Sequence, residues 1–179
     1  MFTMKIVFVV LIATLTGSTR LAAQAATGNK AEILRLIDRY SESVIKRDSI
    51  AFYELFNNDV VSWCAAIKEK SHAREMEGKD KETIRDSYFS SNYRQFMRGL
   101  FRYGSTEDKF DNIRIHEDGT VASVLMDYSF WVDNKMTNWG SKYLSLIKRG
   151  GRWKITGVIY SLELTTWYQQ PPLQERLGK

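Results

Sequence analysis

The stretch Thr120 to Leu164, TVASVLMDYSFWV-DNK-MTNWGSKYLSLIKR-GG-RWKITGVIYSLEL, decides the fold class. Three runs rich in β-branched and aromatic residues are separated by Asp133-Asn134-Lys135 and Gly150-Gly151. Short polar or glycine turns between such runs are hairpin signals. Just upstream, Lys109–His116 has the same character and meets Thr120 through the turn Glu117-Asp118-Gly119. The last third of the chain therefore reads as a four-strand antiparallel meander.

Strand alternation separates the two faces of the run from Thr120 to Val132. Ala122, Val124, Met126, Tyr128, Phe130 and Val132 form one face, which has the composition of a core. Val121, Ser123, Leu125, Asp127, Ser129 and Trp131 form the other. That mixture of small, polar and aromatic residues suits a pocket lining or a subunit interface.

Working toward the N-terminus, the periodicity changes from two to between three and four. Ile33, Leu34, Ile37, Tyr40 and Val44 recur at helical spacing, with Asn29 and Glu32 spaced as N-cap and N3. Asp48 is placed to cap a second, short helix through Phe52 and Phe56. Val60–Ile67 reads as a strand and the charged run Lys68–Lys79 as an exposed loop. Asp80 then opens a third helix through Ile84, Tyr88, Phe96 and Phe101. Helices followed by strands define an α+β fold.

The first 25 residues read as a cleaved leader. Ile6–Leu15 is an apolar run of secretory length, and Ala23-Gln24-Ala25 has the form of a cleavage site. The run is too short to span a bilayer, and no later run is apolar enough to do so. The expectation is an exported protein, periplasmic or secreted. Its domain spans residues 29–166 and a tail spans 167–179.

Lys5 and Arg20 account for two of the five net positive charges, leaving +3 spread among acidic residues. This is no nucleic-acid stripe. Cys64 is the single cysteine, so the mature chain holds no internal disulfide. The sequence carries no His-Glu-x-x-His, no paired cysteines and no phosphate loop, and it points to no metal or cofactor.

Three stretches resemble the nuclear-transport-factor-2-like (SnoaL-like) superfamily over residues 30 to 165. They are Ile37–Phe56, with its long helix, Asp and short helix ending in Leu-Phe; Gly78-Lys79-Asp80-Lys81-Glu82-Thr83-Ile84; and Tyr143–Lys148 with Gly151-Arg152-Trp153-Lys154-Ile155. The resemblance implies a cone, in which a bent antiparallel sheet packs on three N-terminal helices around a pocket. It also implies a homodimer through the outer sheet face. In the ketosteroid isomerases of this class a carboxylate base works with a tyrosine and a protonated carboxylic acid. Tyr40 falls at the tyrosine position. Cys64 falls near the base, and Tyr143 falls near the acid to within about one residue. Neither carboxylate is matched.

The candidate catalytic residues are Asp127, a carboxylate in an otherwise apolar strand, and Tyr40. The candidate ligand-binding set is Tyr40, Trp63, Asp127, Trp131, Trp139 and Tyr143, which would suit a small apolar or aromatic ligand. Three functions stay open: a small-molecule-binding cone without a complete catalytic set, an isomerase or lyase using Asp127 with Tyr40 or Tyr143, and a dimeric interaction module.

Overall fold

Two hydrogen-bonded turns and a glycine pair set the architecture. In the computed structural model, which describes residues 17–58, 60–80, 83 and 85–177, four long strands form the expected meander. They are β3 (Thr106–Glu117), β4 (Val121–Val132), β5 (Lys135–Arg149) and β6 (Arg152–Leu164). At the first turn Asp118 Oδ1 accepts from the backbone N–H groups of Thr120 and Val121, both at 2.8 Å. At the second, Asp133 and Asn134 take positive φ values of 49° and 62°. This is the left-handed region that Asn and Asp tolerate better than most residues. Gly150 and Gly151 close the third turn at φ 57° and 74°.

The sheet has six strands in the order β2-β1-β6-β5-β4-β3, with β1 at Ser62–Ile67 and β2 at Tyr88–Ser90. The expected all-antiparallel sheet is corrected at one place, because β1 runs parallel to β6, from Ser62↔Gly157 to Ile67↔Leu162. The cause lies just upstream. Phe56 bridges Ile155 in parallel, Ile155 N–H donates to Leu55 O, and Asn57 N–H donates to Ile155 O. These bonds launch the chain along β6 in the direction β6 itself takes.

The helices are α1 (Gly17–Lys46), α2 (Ser49–Tyr53), α3 (Glu69–Met76), α4 (Tyr93–Leu100) and α5 (Leu173–Arg176). Asp48 caps α2 as its sequence position requires, accepting from Ala51 N–H at 2.9 Å. Three expectations need correction. Asn29 caps nothing, because helix-favouring residues before it carry α1 back to Gly17; its amide donates to Glu117 and accepts from Lys148 instead. The run read as an exposed loop contains α3, with Glu69 in its first turn and Ser71 buried against the sheet. The third helix starts at Tyr93, not Asp80. Tyr88–Ser90 pairs with β1, and the helix waits for Asn92, whose side chain accepts from Gln95 N–H. Cross-strand pairing thus overrides helical spacing; Ile84 lies outside the described residues. So does the apolar run Ile6–Leu15 of the predicted leader, while residues 17–25 continue into α1.

The core lies between α1, α2, α4 and the concave sheet face. Ile33, Ile37, Val44, Phe52, Phe56, Met97, Val124, Met126, Leu144 and Ile155 are almost fully buried there. Phe56 stacks on Tyr93 with centroids 4.3 Å apart. Gly140 marks a close crossing of strands. A Cβ on it would stand 2.0 Å from the carbonyl oxygen of Ser161. Among the described residues no helix is long and apolar enough to cross a membrane.

Candidate functional site

Inside the cone the concave face carries one charged pair. Asp108 on β3 and Lys142 on β5 share their inward parity with Thr106 and Leu144. Their side chains are 1% and 3% exposed. Lys142 Nζ donates to Asp108 Oδ2. Four aromatic rings surround the ammonium: Tyr128 at 4.5 Å, Phe110 at 5.1 Å, Tyr40 at 5.2 Å and Tyr160 at 5.5 Å. An aromatic box of this kind compensates part of the lost hydration of a cation.

Two buried polar atoms in this cluster have no hydrogen-bond partner among the described residues, the hydroxyl of Tyr40 and Oδ1 of Asp108. The backbone carbonyl of Asp108 is fixed by Ser41 Oγ at 2.7 Å, and the Tyr128 hydroxyl donates to Asn138 Oδ1 at 3.1 Å. The pair is therefore held from α1 and from three strands, with one carboxylate oxygen and one phenol left over.

Burial governs the electrostatics. It pushes the Asp108 carboxyl up and the Lys142 ammonium down, and their mutual attraction offsets part of each shift. The two groups are thereby drawn toward sharing one proton. Burial, then the Asp108 charge, also raises Tyr40 and Tyr128 well above the usual phenol value. Tyr160 is pushed up to about 12 by burial, against the Trp63 indole. All three tyrosines are neutral hydroxyls across the physiological range. Together they make a packed, buried cluster of a carboxyl group, an amine and phenol donors. Such a set can polarise a carbonyl and move a proton beside it.

The sequence candidates are divided by the sheet. Tyr40 lies in the buried cluster. Trp63 also faces inward, 4% exposed, with Phe96 at 5.1 Å and Tyr160 at 6.4 Å. Asp127 lies on the opposite face. It accepts from Arg176 Nη1 of α5 at 2.7 Å, while Arg176 Nη2 reaches Asp111, its cross-strand neighbour, at 3.1 Å. Asp127 shares no cluster with Tyr40, which corrects the isomerase arrangement built on that residue. Tyr143 also points outward, 47% exposed, on an apolar patch with Cys64, Tyr88 and Ile159. Trp131 donates to Ser129 Oγ at 3.0 Å, and Trp139 donates to Tyr168 O at 2.8 Å, both on the outer side.

Sequence reading missed Asp108 and Lys142. Their signal was present in alternation: Leu146, Leu144, Lys142 and Gly140 occupy one face of β5. Lys142, one residue before Tyr143, is the residue that strand parity turns inward. Among the described residues no three His, Cys, Asp or Glu side chains gather as a metal site.

This geometry defines a class, an α+β cone whose bent sheet encloses a buried polar cluster around Asp108 and Lys142. Comparison of the fold with solved structures gives the class its name, the nuclear-transport-factor-2-like fold. A candidate scytalone dehydratase from Novosphingobium aromaticivorans matches with a TM-score of 0.61 and 17% identity, covering 83% of this chain and 93% of that one. An ntf2-like protein with a cystatin-like fold, also from Novosphingobium aromaticivorans, matches at 0.56 and 15% identity over 93% and 99%. The hexachlorocyclohexane dehydrochlorinase LinA-type3 from Novosphingobium barchaimii matches at 0.56 and 13% identity over 84% and 99%. No family model and no curated protein matches the sequence.

Proposed function

We propose that this chain is an exported cone domain that binds a small, partly apolar molecule at the buried cluster around Lys142. One observation carries the reading: Tyr40 hydroxyl and Asp108 Oδ1 are both fully buried and both lack a partner among the described residues. Buried polar atoms left unpaired cost free energy, and a ligand carrying a carbonyl or hydroxyl would satisfy both. The surrounding rings supply the apolar walls. Native mass spectrometry of protein purified without denaturant tests this. An extra mass that is lost on denaturation, and lost in Asp108→Asn and Tyr40→Phe, supports it. A clean apo mass in all three samples rejects it.

A second reading, a lyase or isomerase, is favoured by the Asp108–Lys142 pair. A carboxylate and an ammonium at one point can accept and return a proton in an elimination. The fold neighbours include a candidate dehydratase and a dehydrochlorinase, both named for eliminations. A retained ligand that differs from the one added would favour this reading. Export is tested by expressing the full chain and sequencing the N-terminus of the released protein, expected near residue 24 or 26. The outer patch of Tyr88, Tyr143 and Ile159 supports a homodimer, which light scattering would test.

A further inference from the structure

Outside the cone, a concavity of about 490 Å³ lies between α1, the end of α2 and the β5–β6 hairpin. Its α1 wall is Glu32, Arg35, Leu36 and Arg39, spaced so that all four share one helical face. Leu36, Leu55 and Trp153 form an apolar floor; each is at most 6% exposed. Arg152 and Lys154 stand on the hairpin side. The hairpin is tied to the end of α2 by Ile155 N–H to Leu55 O at 2.9 Å, so the walls are fixed relative to each other.

The charges of this groove do not cancel. Glu32 is taken by Lys148 at 2.9 Å, and Glu54 by Arg39 at 3.4 Å. Lys154 donates to the carbonyl of Glu54. Arg35 and Arg152 have no ion-pair partner among the described residues. The excess positive charge is felt locally, since burial and then Arg152 and Arg39 lower the Lys154 ammonium below its ordinary value, against Glu54. The indole N–H of Trp153, in the floor and 5% exposed, has no hydrogen-bond partner among the described residues.

We infer that this groove binds a small organic anion with an apolar body, its carboxylate or sulfonate held by Arg35, Arg152 and Lys154 and its body laid on Leu36, Leu55 and Trp153. Guanidinium groups suit this task, since their planar forks match carboxylate geometry. The volume admits a chain or ring system of about ten carbons. The site is separate from the cluster around Lys142 and does not rest on it.

The test is isothermal titration calorimetry with three named probes: decanoate, decanol and inorganic phosphate. Decanoate is expected to bind at least tenfold tighter than either of the others. Arg35→Gln and Arg152→Gln, at exposed positions that do not support the core, are each expected to weaken decanoate about three- to tenfold. Both variants should keep the wild-type thermal midpoint. Asp108→Asn is expected to leave decanoate binding at the groove unchanged, which separates this site from the interior cluster. Equal binding of decanol, equal binding of phosphate, or full decanoate affinity in the Arg35→Gln, Arg152→Gln double variant would overturn the inference.

Discussion

The two faces of the sheet treat the same chemistry in opposite ways. On the concave face Asp108 and Lys142 meet with both side chains at most 3% exposed. On the convex face Asp127 meets Arg176 with side chains 15% and 12% exposed, and buried Glu163 meets Lys70, whose own side chain is 52% exposed. Glu163 further accepts from Ser71 Oγ, which in turn accepts from Leu164 N–H and so ties α3 to β6. The outer pairs each keep one partner near water or one oxygen serving the backbone. The inner pair has neither outlet. A fold gains little from sealing an ion pair away from water, because desolvation consumes most of the attraction. The outer pairs are explained as fasteners, while the inner one needs a use.

The sharpest way to break this comparison is to remove one inner partner. Lys142→Ala leaves a buried carboxylate without its cation and is expected to cost about 3–5 kcal/mol in urea unfolding. Removing both partners should do the reverse. Asp108→Leu with Lys142→Met is expected to be neutral or to stabilise by about 1–4 kcal/mol, while abolishing ligand retention. A double variant as unstable as the single one would show that the pair is structural.

That second experiment has a pH signature. Asp108 is held above its ordinary 3.8, so its cost to the fold appears as pH rises through the range above 3.8. Lys142 is held below its ordinary 10.5, so its cost is present at neutral pH and is relieved as pH climbs toward 10.5. The neighbouring Tyr40, Tyr128 and Tyr160 remain protonated over this range. The stability advantage of the double variant is therefore expected to peak near neutrality and shrink toward both ends in thermal melts from pH 4 to pH 10.

Smaller effects belong to the convex face and the helix surface. Arg176→Ala removes the clasp on Asp127 and Asp111, and the expected loss is about 1–2 kcal/mol for a partly buried, charge-assisted contact. The checking measurement is limited proteolysis, with cleavage after residue 165 appearing earlier than in the wild type. Lys46→Ala breaks an exposed i,i+4 pair with Glu42 on α1. It should change stability by only about 0.3 kcal/mol, near the resolution of a denaturant titration.

How much of this was readable from the chain follows from the range of each interaction. The hairpins were legible because Asp118, Asp133-Asn134 and Gly150-Gly151 fix their own backbone conformation. The Asp48 cap was legible for the same reason, since its partner Ala51 is three residues away. The segment from Lys68 to Ser90 was misread because its outcome is set at a distance. Ser71 is held by Glu163 and Tyr88–Ser90 by β1, neither of which its own periodicity reports. The site divides in the same manner. Tyr40 follows from the helical face of α1. Asp127 was singled out as an anomaly in its strand, but its partner Arg176 is 49 residues away. Lys142 was hidden by one step of strand parity, and Asp108 because its partner lies 34 residues away on another strand.

Gly140 sits two residues from Lys142, at the place where β5 passes against the Ser161 carbonyl. There is no room there for even one methyl group. The close approach of the two ribbons thus depends on an absence, on a side chain that is not made. Any substitution at this point would push the two ribbons apart two residues from Lys142, so the buried pair is set from the sheet's seam as well as from its own side chains.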